Sequence, residues 1–155
     1  MATKTLKDIF DILIAELTTN IALTSWCQTN YGVQPVIRFG IDENNIPEAP
    51  DALEIHLIPG ARSRTRQFAY RSYGLDIHAV INKISVREPA LTNAYVLESI
   101  ESLDQFISLI EEAVIPVLNR NSIIVTPTEG DEDAVGYPYA VGCLSYVLEV
   151  PSRLL

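Results

Sequence analysis

Between Phe68 and Lys83 the chain places Leu75, Ile77, Ala79 and Ile81 at every second position, with Asp76, His78, Val80 and Asn82 between them. This period of two fits a strand with one buried face and does not fit a helix, whose neighbours on one face lie three or four residues apart. Leu53, Ile55 and Leu57 repeat the pattern, with Glu54 and His56 interleaved. The two strands are predicted to pair antiparallel as a hairpin. Pro59-Gly60 is expected to end the first strand, so its connection, Pro59 to Gln67, is longer than the usual hairpin loop of about two to five residues. Gly74 is read as a bend or bulge.

Two other stretches carry the helical period. Leu6, Ile9, Phe10, Leu13, Ile14 and Leu17 share one helix face, and Thr5 is placed to cap the helix by accepting from the Asp8 N–H. A second short helical turn follows through Ile21, Ala22, Leu23 and Trp26, ending at Gly32. Ile100, Leu103, Ile107, Ile110, Val114 and Leu118 predict another helix from Ser99 or Ser102 to Leu118, widened by Phe106 and Val117. Ser102 and Gln105 suit a capping box, and Pro116 should kink or tighten the last turn. Short strands are expected at Val36 to Phe39 and Ile123 to Pro127, and a longer one at Tyr139 to Val150. Asp42 to Asp51 and Thr128 to Gly136 read as loops. The resulting class is α+β: one mostly antiparallel sheet of four or five strands, with two main helices on one face. Residues 1–155 form a single domain, a length that can bury a core without disulfide or metal staples.

Composition narrows the function. With 11 basic and 20 acidic side chains the net charge is −9, which argues against a general nucleic-acid coat. The first apolar run, Ile12 to Ala15, is too short for a signal peptide or a membrane span, so a soluble, cytoplasmic chain is expected. Cys27 and Cys143 stand far apart among apolar neighbours and read as buried reduced thiols; no C-x-x-C pair suggests zinc or redox chemistry.

Catalytic signals are weak. His56 and His78 fall on strands predicted to pair, and with Asp76 or Glu54 they suggest at most a partial metal site, because zinc takes three or four ligands. Cys143 has no local base to make it a nucleophile. Glu111 and Glu112 read as a solvated helix face. Phosphate-cradling and nucleophile-elbow motifs do not occur. No enzyme and no cofactor is expected.

Charge segregation is the more informative feature. Arg62, Arg64, Arg66 and Arg71 bring four of the 11 basic residues into ten positions. They are assigned to the hairpin loop and its exit strand. Opposite in sign is Glu129-Gly130-Asp131-Glu132-Asp133. A basic and an acidic segment on one small domain suit head-to-tail contact between copies. Arg62, Arg64, Arg66, Arg71, Asp131, Glu132 and Asp133 are therefore the candidate interface residues. Trp26 reads as a core residue.

The helix ending near Trp26 and Asn30-Tyr31-Gly32, the strand running into Phe39-Gly40-Ile41-Asp42, the approach Ile46-Pro47-Glu48-Ala49-Pro50, the long hairpin, the second helix and the terminal hairpin together resemble the tail terminator (tail completion) proteins of long-tailed bacteriophages and related prophages. The resemblance covers nearly the whole chain, in element order and length. It implies a virion structural protein of the tail and neck, assembled in the host cytoplasm. Such proteins form a hexameric ring on the tail tube, contact the tube protein and a neck or head completion protein, and let DNA through the lumen without specific binding. The resemblance implies no catalytic residues and no membrane contact. Rival readings are another neck component (a stopper or adaptor), a metal-binding domain around the two histidines, or a small-molecule-binding module.

Overall fold

The computed structural model describes residues 3–40, 52–64, 70–82, 86–87, 96–128, 134–136 and 139–151. Its helices are α1 (Leu6–Thr19), α2 (Ile21–Tyr31) and α3 (Glu98–Arg120). Its strands are β1 (Val36–Phe39), β2 (Ala52–Arg64), β3 (Tyr70–Asn82), β4 (Val86–Arg87), β5 (Val96–Leu97), β6 (Ile124–Pro127), β7 (Ala134–Gly136) and β8 (Tyr139–Pro151). The main sheet runs β1-β2-β3-β8-β6, with β7 also paired to β8. All its pairs are antiparallel except β1 with β2. The α+β class and the helix-covered sheet agree with the sequence reading. β4 and β5 form a separate two-stranded pair.

One parity of side chains builds the core. Leu53, Ile55 and Leu57 stand opposite Ile81, Ala79 and Ile77, and β8 continues this face with Ala140, Tyr146, Leu148 and Val150. Against it pack Ile9, Phe10, Leu13 and Leu17 of α1, Leu23, Cys27 and Tyr31 of α2, and Leu103, Phe106, Ile110, Val114 and Leu118 of α3. Each fully buried aliphatic side chain contributes about 1.5–3 kcal/mol of transfer free energy. Trp26 stacks on Phe106, with ring centroids 5.5 Å apart and planes 12° apart, and Tyr31 tilts against it at 5.6 Å. Trp26 is thus half-buried at the margin of the core, packed between α2 and α3.

The helix ends follow local chemistry. The Thr5 hydroxyl accepts from the Asp8 N–H, and the Asp8 carboxylate accepts from the Thr5 N–H at 2.7 Å, completing a capping box. Asn20 closes α1 and caps α2 by accepting from the Leu23 N–H. Gly32 leaves α2 in the left-handed region, at φ 67°.

Several expectations need correction. α2 is a full helix of 11 residues rather than a short turn. α3 starts at Glu98, so Ser102 lies inside it and no capping box forms there. The helix runs past Pro116 to Arg120. In α1 the buried stripe is narrower than predicted, with Ile14 exposed. In α3 it is centred on Phe106, with Ile107 half-buried. The stretch read as an acidic loop to Gly136 contains β7.

The largest correction concerns β2, which passes through Pro59-Gly60 and continues to Arg64. The strand survives because it bulges. Pro59 pairs with Leu75 and Arg62 with Tyr73, so Gly60 and Ala61 together oppose Gly74. Gly74 had pointed to this place, but the extra residue belongs to the partner strand. Here the backbones come close: a Cβ at Gly60 would lie 3.1 Å from Gly74 Cα. Replacing Gly60 by Ala should therefore lower stability by about 2 kcal/mol, as overpacking against backbone does. Urea unfolding followed by circular dichroism measures this, and an unchanged midpoint would show that the bulge tolerates a side chain.

Candidate functional site

The other face of the sheet carries a row of polar residues. Arg38 on β1 pairs in register with His56 on β2, His56 with His78 on β3, and His78 with Cys143 on β8. The two histidines thus stand directly opposite each other, as the predicted pairing allows. One step along, Glu54 pairs with Val36 and Val80.

Glu54 is the centre of this arrangement. Its side chain is only 3% exposed. Arg38 donates to it through both arms of the guanidinium, Nε to Oε2 at 3.0 Å and Nη2 to Oε1 at 2.9 Å. His56 Nε2 lies 2.6 Å from Oε2. An ionised carboxylate only accepts, so His56 donates to Glu54 from Nε2. Burial acts to raise the Glu54 pKa, but the bonds from Arg38 and His56 outweigh it and hold the carboxyl below its ordinary value. A carboxylate satisfied by three donors is a weak base, and its evident work is to clamp β1 to β2.

Sequence reasoning placed Glu54 beside the histidines but missed Arg38. The signal was a charged residue in a short apolar strand. Using it needed the parallel β1–β2 pairing, which no local pattern encodes.

A second polar contact links sheet and helix. Tyr146 Oη donates to Glu111 Oε1 at 2.9 Å. Burial, followed by this bond, raises the tyrosine pKa. Glu111 is therefore not part of a wholly solvated face, whereas Glu112 is exposed. The thiols also differ. Cys27 is buried, and burial pushes its pKa up to about 11. Cys143 is only half-buried, with its Sγ 3.6 Å from Ser145 Oγ.

The predicted interface residues divide as follows. Arg62 and Arg64 lie in β2, not in a loop, and Arg71 lies in β3. Arg64 pairs in register with Arg71, and Arg62 with Tyr73. The structure thus brings these three positions together at one end of the β2–β3 pair. Arg66, Asp131, Glu132 and Asp133 lie outside the described residues.

Among the described residues, no three His, Cys, Asp or Glu side chains are placed to hold a metal ion. An open cleft lined by Leu17, Thr18, Thr24, Gln34 and Pro35 holds about 230 Å³, below the roughly 300 Å³ at which small-molecule sites begin. No described helix is long and apolar enough to cross a membrane. No protein-family model matches the sequence, and no curated protein matches it significantly.

Two outcomes follow. Glu54→Gln should cost about 3 kcal/mol at neutral pH, the low end for breaking a buried ion pair, because Arg38 is 44% exposed. The Glu54 pKa is depressed in the folded state, so its contribution is complete above the ordinary value of 4.5 and is lost as pH falls through the folded value. The gap between wild type and Glu54→Gln in urea unfolding should therefore close on acidification; a gap independent of pH would refute the ionised clamp. In thiol titration at pH 8, Cys27 should resist modification until the chain unfolds.

Proposed function

We propose that this chain is a non-catalytic structural subunit of the tail terminator kind. In this reading it forms a ring, a hexamer, on the end of a phage tail tube, stops tube growth and presents the surface that joins the head. The reading is carried by the placement of exposed apolar side chains. Val36 and Phe39 on β1 are 49% and 60% exposed, and Ile124 on β6 is 45% exposed. These strands are the opposite edges of one sheet. Two different patches on opposite sides of a subunit suit heterologous contact, which closes into a ring when the rotation per subunit allows. β1 and β6 run in opposite directions, so side-by-side copies would meet with antiparallel edges. Pro35 and Pro127 flank or end these strands and remove backbone donors, leaving side chains to carry the contact.

Termination then follows from geometry. A ring that matches the tube on one face and differs on the other withholds the next docking site. The experiment combines native mass spectrometry over a wide concentration range with electron microscopy of purified tail tubes. A hexamer that caps tubes is expected. Arg64→Glu with Arg66→Glu should leave the monomer folded and abolish capping, whereas undiminished capping would remove the hairpin from the mechanism. Binding to portal-bearing heads instead of tubes would point to another neck component.

A metal-binding domain is the rival reading: His56 stands opposite His78, and His78 opposite Cys143, but among the described residues no three such side chains are placed to hold a metal ion. Metal analysis of tag-free protein, repeated on the His56→Ala/His78→Ala variant, tests it. Stoichiometric metal lost in the variant would favour it over the ring.

A further inference from the structure

The chain has two cysteines, and the sheet separates them. Cys27 belongs to the core between the sheet and the helices. On β8 the even positions Ala140, Leu144, Tyr146, Leu148 and Val150 face that core. Cys143 has the other parity and is half-buried on the opposite face, the one that carries Glu54 and His56. With the sheet between them, the two thiols cannot form a disulfide within one chain.

No base stands near Cys143 in the sequence, but strand pairing brings one. His78 is its register partner. The Thr128 N–H bonds the Ser145 carbonyl at 2.9 Å, so the backbone groups of Ser145 turn toward β6 and away from β3. The β3–β8 register runs without a shift, so Cys143, two residues earlier, has the same orientation. His78 and Cys143 are therefore a non-hydrogen-bonded pair, the kind in which facing side chains lie closest, with Cα atoms about 4.5 Å apart. Imidazole and thiol are within reach of each other across such a pair. Ser145 Oγ, 3.6 Å from Cys143 Sγ, adds a hydroxyl. His78 and Ser145 are half-buried like Cys143, which leaves the group open to a small reagent. Its titratable or charged neighbours on this face are Asp76 on β3, Glu54 and His56 on β2, Arg38 on β1 and Glu149 further along β8; the described residues of β6 and β7 bring none.

We infer that His78, Cys143 and Ser145 form a thiol-exchange site on the polar face of the sheet, one that takes a small-molecule disulfide and holds half of it as a mixed disulfide on Cys143. His78 takes the thiol proton, and the Ser145 hydroxyl donates to the thiolate. The thiolate attacks one sulfur of the disulfide. The S–S bond of the reagent breaks, a new S–S bond to Cys143 forms, and the leaving thiolate takes the proton from the imidazolium. Cys143 is oxidised, the departing half of the reagent is reduced, and no other reactant is needed. Because Cys27 lies across the sheet, no second thiol of the chain resolves the adduct. The site is independent of the ring reading.

The test treats the full, reduced chain with dithiodipyridine in the presence of a chelator and follows the released thiol by absorbance. The native protein should release one equivalent rapidly, and peptide mass mapping should place the adduct on Cys143. Between pH 8 and pH 6 the native rate should fall by less than about tenfold, whereas an unassisted thiol of ordinary pKa, about 8.5, loses roughly 75-fold of its thiolate. His78→Gln should slow the reaction at pH 6 by about tenfold, with circular dichroism unchanged, and should restore the steep profile. A native chain in which Cys143 is not modified overturns the site. So does a wild-type profile as steep as that of an unassisted thiol, a measurement that needs no variant to fold. A folded His78→Gln chain that reacts at the wild-type rate overturns the part given to His78.

Discussion

Strand β3 is paired along its whole length with β8 and along most of its length with β2. This double pairing is the constraint on which the rest of the structure depends. It fixes which parity of three strands faces the helices, and a slip by one residue would turn Leu75, Ile77 and Ile81 away from the core. The shorter strands are secondary to it. β6 and β7 share the outer edge of β8, and β1 lies beside β2 over four residues. Such short strands gain little from backbone pairing alone, so β1 draws on two additional attachments. Phe39 meets Phe10 edge-on, with centroids 4.2 Å apart, and Arg38 grips Glu54. One attachment lies on each side of the sheet.

The elements legible in the sequence were those whose pattern is local. Alternation gave the β2–β3 pairing and its inward residues, and the helical stripes gave α1 and α3. The features that were not legible depend on partners distant in the chain. α2 has little apolar asymmetry of its own, and its burial of Leu23 and Cys27 comes from packing against other elements. Glu111 looked solvated because Tyr146, 35 residues away, supplies its bond. The end of β2 was misjudged because Pro59-Gly60 is an ordinary stop signal, here overridden by long-range pairing with β3. At the candidate site, the His56–His78 pairing followed from the predicted hairpin. Arg38 did not, because a parallel neighbour leaves no trace in alternation.

The polar row and the charged hairpin end serve different ends. The row holds a buried charge with nearly all its bonding capacity used, and such clusters favour a specific arrangement more than they add net stability. At the hairpin end, two arginine positions, Arg64 and Arg71, are register partners. The first arrangement is complete within the chain.

The bulge at Gly60-Ala61 divides β2 into two reading frames. Before it, paired positions in β2 and β3 sum to 134; beyond it they sum to 135, as Pro59 with Leu75 and Arg62 with Tyr73 show. The core half and the arginine half of one strand are therefore phased independently. Deleting one residue at the bulge would leave every pair on both sides in place, Leu53, Ile55 and Leu57 as well as Arg62 with Tyr73 and Arg64 with Arg71, and would remove only the extra residue with its local bend and twist. In evolutionary terms, the bulge is a place where a single codon can be lost with the pairing of both halves of the hairpin kept.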